Sequence, residues 1–118
     1  MEYQYKKTKT LLERQNEAKE IIEKYPQRIP VICERDPSST LEDIQKKKYP
    51  VPYDMTVSQF SFIIRQKLRL TKEAALFLLV NGKVSIVGNQ TISEVYQTHK
   101  DIDDSFLYIT YTSQLTWG

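Results

Sequence analysis

Cysteine, histidine and tryptophan each occur once in this 118-residue chain, as Cys33, His99 and Trp117, and glycine occurs three times. A single cysteine excludes an internal disulfide framework and fits a reducing compartment. One Cys and one His cannot make a Cys/His zinc site, so neither metal nor cofactor is expected. Cys33 falls inside a predicted strand and reads as a small buried hydrophobe rather than a nucleophile. His99 falls on the apolar side of a short predicted helix, where a packed or partly exposed imidazole is the expected role. No P-loop or dinucleotide fingerprint is present, and Asn81-Gly82-Lys83 reads as a turn rather than a phosphate cradle. The chain is therefore not expected to be an enzyme. Long apolar runs are also lacking: the longest, residues 74–80, is seven residues, far short of the ~20 that span a bilayer. The polar start, Met1-Glu-Tyr-Gln-Tyr-Lys-Lys, does not read as a signal peptide. Any membrane association is expected to be peripheral or through an attached lipid.

What is present suits one globular domain: 40% hydrophobic and 27% charged residues in a length sufficient for a single core. The net charge of +2 is unevenly spread. Residues 1–72 carry 15 Lys/Arg against 10 Asp/Glu, whereas residues 73–118 carry 2 against 5. A basic first part favours acidic peptides or anionic lipid headgroups as partners. Without Lys/Arg clusters interleaved with aromatics, no nucleic-acid partner is expected.

Residues 10–25 have the spacing of an amphipathic helix, with Leu11, Ala18, Ile22 and Tyr25 sharing a face and Ile21 beside it; Pro26 ends it. Residues 28–34 read as a short apolar strand, and 35–45 as a polar connection with a turn signal at Asp36-Pro37-Ser38-Ser39. The stretch 46–53 is extended. Thr56-Val-Ser-Gln59 is a capping box opening a helix to about Arg69, with Val57, Phe60, Ile63, Ile64 and Leu68 on its apolar face. Residues 74–80 form a continuous apolar run, read as a buried central strand closed by Asn81-Gly82. Thr91-Ile-Ser-Glu94 is a second capping box, starting a short helix with Ile92, Val95, Tyr96 and His99 on one side. Residues 101–104 are a loop and 106–111 the last strand. Two strands, a crossover helix and two more strands describe an α+β, ubiquitin-like β-grasp. Its four-stranded mixed sheet is preceded by an N-terminal helical extension. The expected division is 1–25 helical extension, 26–112 core and 113–118 flexible tail.

Two features carry function. The stretch Lys46-Lys-Lys-Tyr-Pro-Val-Pro-Tyr53 holds prolines at 50 and 52, whose missing N–H groups would point the same way as that of Lys48. Proline is tolerated only where that side is unpaired, so this must be an edge strand. Lysines and prolines blunt an edge against aggregation. They equally fit a docking edge, where a partner peptide adds a strand and the lysines meet its acidic flank. The second feature is Gly118, after a short polar tail. A Gly carboxylate on a mobile arm suits an acyl group threaded into another protein's active site, because the lack of a Cβ lets the backbone pass a narrow channel. A frayed terminus is the plainer alternative.

Several ordered motifs resemble the autophagy ubiquitin-like modifiers, the relatives of microtubule-associated light chain 3 and the GABA-receptor-associated protein. They are Lys24-Tyr-Pro-Gln-Arg-Ile-Pro-Val-Ile32, Lys46-Lys-Lys-Tyr49 with Val51-Pro52, Thr56-Val-Ser-Gln-Phe60 with Ile64-Arg65, Ala75-Leu-Phe-Leu-Leu-Val-Asn81, Phe106-Leu-Tyr-Ile-Thr-Tyr111 and the final aromatic-Gly pair. The resemblance implies that Gly118 is adenylated, carried as a thioester by activating and conjugating enzymes, and joined to phosphatidylethanolamine. It also implies a processing cysteine protease, a place in the cytoplasm and on the autophagosome membrane, and receptors bearing acidic aromatic-x-x-aliphatic motifs.

By the same resemblance, Glu17, Ile21, Pro30, Ile32, Lys48, Pro50 and Phe106 would line an aromatic pocket. Tyr49, Val51, Pro52, Met55, Phe60 and Ile63 would line an aliphatic one. Arg28, Lys46, Lys67 and Arg65 would meet the acidic flank. Pro50 stands where the family usually has Leu, and the lost donor predicts weaker or narrower peptide binding. Trp117 replaces the more common Phe or Tyr, and residues 84–90 and 101–105 match less well. The competing expectations are a non-covalent adaptor of the same fold, or a basic protein binding tubulin or anionic lipid surfaces.

Overall fold

The computed structural model describes residues 2–115. Helices α1 (Gln4–Thr8) and α2 (Leu11–Lys24) lead into β1 (Arg28–Arg35) and β2 (Lys48–Pro52). Then follow α3 (Val57–Leu68), β3 (Phe77–Val80), β4 (Val84–Ile86), α4 (Ile92–His99) and β5 (Leu107–Thr112). The sheet order is β2-β1-β5-β3-β4. Only the β1–β5 pair is parallel; β1–β2, β3–β5 and β3–β4 are antiparallel. This is the expected ubiquitin-like fold with N-terminal helices, but its sheet has five strands rather than four. The fifth, β4, is three residues long and two of them are exposed, which leaves too little apolar alternation to read in the sequence.

Local chemistry accounts for the elements. Thr56 and Gln59 form both bonds of the expected capping box, and Arg69 closes α3 in the left-handed region at φ 55°. Thr10 and Glu13 form a full box that starts α2. At Thr91 only half of the expected box is present: its hydroxyl accepts from the Glu94 amide, and the Glu94 carboxylate bonds that hydroxyl instead of the Thr91 amide. Asn81 and Gly82 both take positive φ, turning β3 into β4. The apolar run 74–80 enters the sheet only at Phe77, because Arg65 holds the carbonyl of Ala74 outside it at 2.8 Å. The central strand is β5, buried along its length.

Strand alternation divides the interior in two. Val31, Cys33, Tyr49, Val51, Leu107, Ile109 and Tyr111 face α3 and pack with Val57, Phe60 and Ile64. On the opposite face Ile32, Phe106 and Tyr108 pack under Ala18 and Ile21 of α2 and the rings of Tyr3 and Tyr5. The buried stripe of α2 is thus Ala18 and Ile21, whereas Leu11, Ile22 and Tyr25, expected on that face, are exposed. A second correction concerns α1, which periodicity in so short a polar segment does not announce. The buried Glu34 carboxylate makes it, accepting the amides of Gln4 and Tyr5 at 2.8 Å each.

Candidate functional site

Strand β2 lies at one end of the sheet and pairs with β1 alone. Pro50 sits opposite Pro30 in the ladder, and neither can donate an N–H. Bonds from Cys33 N to the Lys47 carbonyl at 2.8 Å and from Tyr53 N to the Gln27 carbonyl at 3.0 Å bracket the register. Residues 47, 49, 51 and 53 therefore bond inward, and the backbone groups of Lys48, Pro50 and Pro52 face away from the sheet. An edge made of these three residues was legible from the two prolines.

On the α3 side of this edge Tyr49, Val51, Pro52, Met55, Phe60 and Ile63 line one cavity of about 330 Å³. Arg28, Lys46, Lys67 and Pro50 complete its walls. Tyr49 is held edge-on to Phe60, ring centroids 5.9 Å apart, and its hydroxyl donates to the Lys46 carbonyl at 2.6 Å. The ammonium groups of Lys46 and Lys67 lie 5.0 Å and 5.6 Å from the centre of the Tyr49 ring. Cations over an aromatic wall keep a positive rim on an apolar hole. The cavity thus combines an apolar lining with a positively charged rim.

On the α2 side the residues grouped as an aromatic pocket are close together but packed. Ile32 and Phe106 have 0% exposure, and Ile21 and Pro30 are buried. Above them Lys48 Nζ donates to Glu17 Oε1 at 2.9 Å, linking β2 to α2. Tyr5 Oη donates to the same oxygen at 2.9 Å, and Lys9 Nζ lies 3.0 Å from the other. Burial pushes the Glu17 carboxyl up, but the bonds from Lys48, Lys9 and Tyr5 outweigh it and bring its pKa down to about 2. A ring entering here must displace side chains. Pro50, assigned to this group, also lines the aliphatic cavity.

Arg28, Lys46 and Lys67, expected to meet an acidic flank, all line the aliphatic cavity. Arg65 does not join them: its guanidinium donates to the Thr71 and Ala74 carbonyls, and it lines a different cavity, against β3 and β4. Gly118, the expected conjugation residue, lies outside the described residues. Cys33 is fully buried, and burial pushes its thiol far up, away from nucleophilic use.

Sequence reasoning missed a buried ionic cluster beside the site. Asp104, 1% exposed, accepts from Arg14 Nε at 2.9 Å, from the Phe106 amide at 2.9 Å and from the Tyr108 hydroxyl. Lys6 reaches Asp101 at 2.6 Å. The run Asp101-Ile-Asp-Asp104 signalled a loop, and nothing in its composition distinguishes the buried Asp104 from its neighbours.

A five-stranded mixed sheet with one crossover helix and an outward edge strand defines a protein of the ubiquitin-like class. The family described as "Autophagy protein Atg8 ubiquitin like" matches residues 13–118, and the chain belongs to it. Similar proteins include Autophagy-related protein 8 of Kluyveromyces lactis, 45% identical over 105 residues that make up 89% of this chain and 83% of that protein. The same-named protein of Vanderwaltozyma polyspora is 44% identical over 117 residues, 99% of this chain and 92% of its own. The crystal structure of Trypanosoma brucei ATG8 superposes with a TM-score of 0.90 at 33% identity, covering 100% of both chains. Among the described residues no helix is long and apolar enough to cross a membrane.

Proposed function

We propose that this chain is a ubiquitin-like modifier of autophagosome membranes. In this reading it is conjugated through Gly118 to phosphatidylethanolamine and docks receptor peptides of the acidic aromatic-x-x-aliphatic kind along β2. The observation that carries the docking half is the outward edge of Lys48, Pro50 and Pro52. It runs beside an open apolar cavity rimmed by Arg28, Lys46 and Lys67. A peptide strand added there would set its aliphatic residue among Tyr49, Val51, Pro52, Met55, Phe60 and Ile63. Its aromatic residue would enter between Lys48 and Glu17, above Ile21, Pro30, Ile32 and Phe106.

Family membership supports the conjugation half. A processing cysteine protease frees the Gly118 carboxyl where residues follow it. The activating enzyme adenylates that carboxyl, and cysteine thiols of activating and conjugating enzymes carry it as a thioester. The lipid amine attacks the acyl carbon and expels the thiol, leaving an amide. This chain contributes the acyl group and no catalytic side chain. Residues 1–25 act as a helical extension, 26–112 as the body and 113–118 as the arm. The protein cycles between the cytoplasm and the autophagosome membrane, held there by lipid.

Deleting Gly118 tests the conjugation: membrane attachment and the lipid-dependent gel shift are expected to vanish while peptide docking persists. Retention of the shifted band in the deletion variant overturns it. For docking, Pro50→Leu restores a donor to the edge, and calorimetry is expected to show about fivefold tighter peptide binding, the worth of about one hydrogen bond. No tightening sinks the assignment of that edge.

A further inference from the structure

The outward edge of β2 is almost fully committed within the chain. Among its three outward residues only Lys48 has an N–H, because 50 and 52 are proline. Three carbonyls remain as acceptors. That of Pro52 accepts the Met55 amide at 3.1 Å. That of Pro50 accepts Arg28 Nη1 at 3.0 Å. Lys48 alone offers a donor and an uncommitted acceptor among the described residues, so a strand laid along this edge finds one residue to pair with. The next acceptor, two residues further along, is covered by a guanidinium.

That guanidinium is the movable member of the arrangement. Arg28 is exposed, lies 5.7 Å from the ring centre of Tyr25, and lines the apolar cavity with Lys46 and Lys67. A ligand carboxylate at the cavity mouth competes for it as a charged acceptor, and a charge-assisted bond is roughly twice as strong as one to a neutral carbonyl. Moving Arg28 to that carboxylate uncovers the Pro50 carbonyl for a ligand backbone N–H. A neutral ligand leaves Arg28 in place and loses that bond.

We propose that Arg28 is a specificity-determining latch: it covers the Pro50 carbonyl on the docking edge and yields it only to an acidic peptide. The proposal rests on the docking reading above. The acid on the ligand and the backbone bond are then coupled: each is worth more when the other is present. Arg28 thereby selects acidic peptides by more than charge attraction, and the proline at position 50 makes this selection decisive, because the carbonyl is the only group that residue has to give.

The test is titration calorimetry on the full chain with six synthetic peptides. Each carries an aromatic-x-x-aliphatic core, with Glu or Gln next to the aliphatic residue. Each of these is made with normal amides, or with a backbone ester replacing the amide of each central residue in turn, which removes one N–H without adding bulk. With the native chain, the ester that faces Pro50 is expected to cost the Glu peptide about fivefold, one hydrogen bond, and to change the Gln peptide little. In Arg28→Ala the carbonyl is free, and the ester is expected to cost both peptides equally. Equal ester costs for Glu and Gln peptides on the native chain overturn the latch while leaving docking intact. Coupling that survives in Arg28→Ala assigns it to another group and likewise overturns the role of Arg28. Failure of all the peptides to bind overturns the docking reading and the latch together.

Discussion

The two faces of the sheet are held by different forces. Toward α3, buried Val, Ile, Leu, Phe and Tyr side chains meet the apolar stripe of a fully capped helix. Toward α1 and α2 the apolar cluster is smaller and rich in aromatic rings, and charge stitches the helices down. Glu34 holds the first turn of α1, Asp104 binds Arg14 and Tyr108, Asp101 binds Lys6, and Glu17 gathers Tyr5, Lys9 and Lys48. Dispersion and hydrophobic burial fall off smoothly when a side chain shrinks, whereas a buried charge stripped of its partner is left with its whole desolvation cost. The α3 face should therefore be indifferent to salt and acid, and the α2 face sensitive to both. The two halves of the candidate site inherit this difference. The aliphatic cavity sits on the apolar face and stands open; the aromatic group sits on the ionic face and is closed by Lys48 and Glu17.

The comparison breaks most sharply at Asp104. Replacing it by Asn leaves the guanidinium of Arg14, 13% exposed, without its counter-charge. Breaking such a buried pair is expected to cost about 3–5 kcal/mol in urea unfolding. Ile64→Ala on the other face removes a fully buried side chain and should cost about 2–5 kcal/mol through cavity formation. The two variants part company on helix docking: Asp104→Asn should strip amide protection from α1 and α2 first, and Ile64→Ala from α3 first. A loss below about 1 kcal/mol for Asp104→Asn would place that pair with ordinary surface bridges and erase the contrast.

Acid provides the next test. Glu17 has its pKa held near 2 in the folded chain against an ordinary 4.5, because the bonds from Lys48, Lys9 and Tyr5 outweigh burial. Asp101 is lowered in the same direction; burial opposes it, and bonds from Lys6 and the amides of Asp103 and Asp104 prevail. A carboxyl depressed on folding contributes stability that is complete above its unfolded pKa and is lost as pH falls through the folded one. Docking of α1 and α2 should therefore weaken between pH 4.5 and about 2, while α3 keeps its protection. Hydrogen-exchange protection factors read both helices in one experiment. Glu17→Gln should weaken docking at neutral pH and flatten the fall toward acid; an unchanged acid slope removes Glu17 from the explanation.

The same contrast explains what could be read in the amino-acid order. Short-range chemistry was legible: Thr56 with Gln59, the Asn81-Gly82 turn, and the prolines that force β2 to the edge act within a few residues of themselves. The apolar face of α3 was legible because Phe60 and Ile64 repeat at helical spacing. The ionic face was not. Glu34 and the α1 amides, or Arg14 and Asp104, are tens of residues apart in sequence, and a carboxylate that will be buried looks like one that will not. The face of α2 was misjudged for the same reason: Leu11 and Ile22 are more apolar than Ala18, but the helix is rotated by its ionic anchors and by the close approach that Ala18 permits. The cavity residues were found through family resemblance, whereas the cover of Arg28 over Pro50 needed the three-dimensional register.

Lys6 supplies the finest test, because it combines both kinds of force in one side chain. Its ammonium lies 2.6 Å from Asp101 and 4.6 Å from the centre of the Tyr108 ring, and it is about one-third exposed. Lys6→Met keeps most of the stem over the ring and removes the charge. At low salt the loss should be about 0.5–1 kcal/mol, the range of a partly exposed pair. In 1 M salt the screening length falls to about 3 Å, and the native chain should lose most of that advantage, so the variant and native stabilities converge. Ile64→Ala should show the same deficit at both salt concentrations. If the Lys6→Met deficit persists undiminished in salt, the charge of Asp101 is not its source, and the poorer fit of Met than of the Lys stem on Tyr108 is. The α2 face would then be held at that point by the same force as the α3 face.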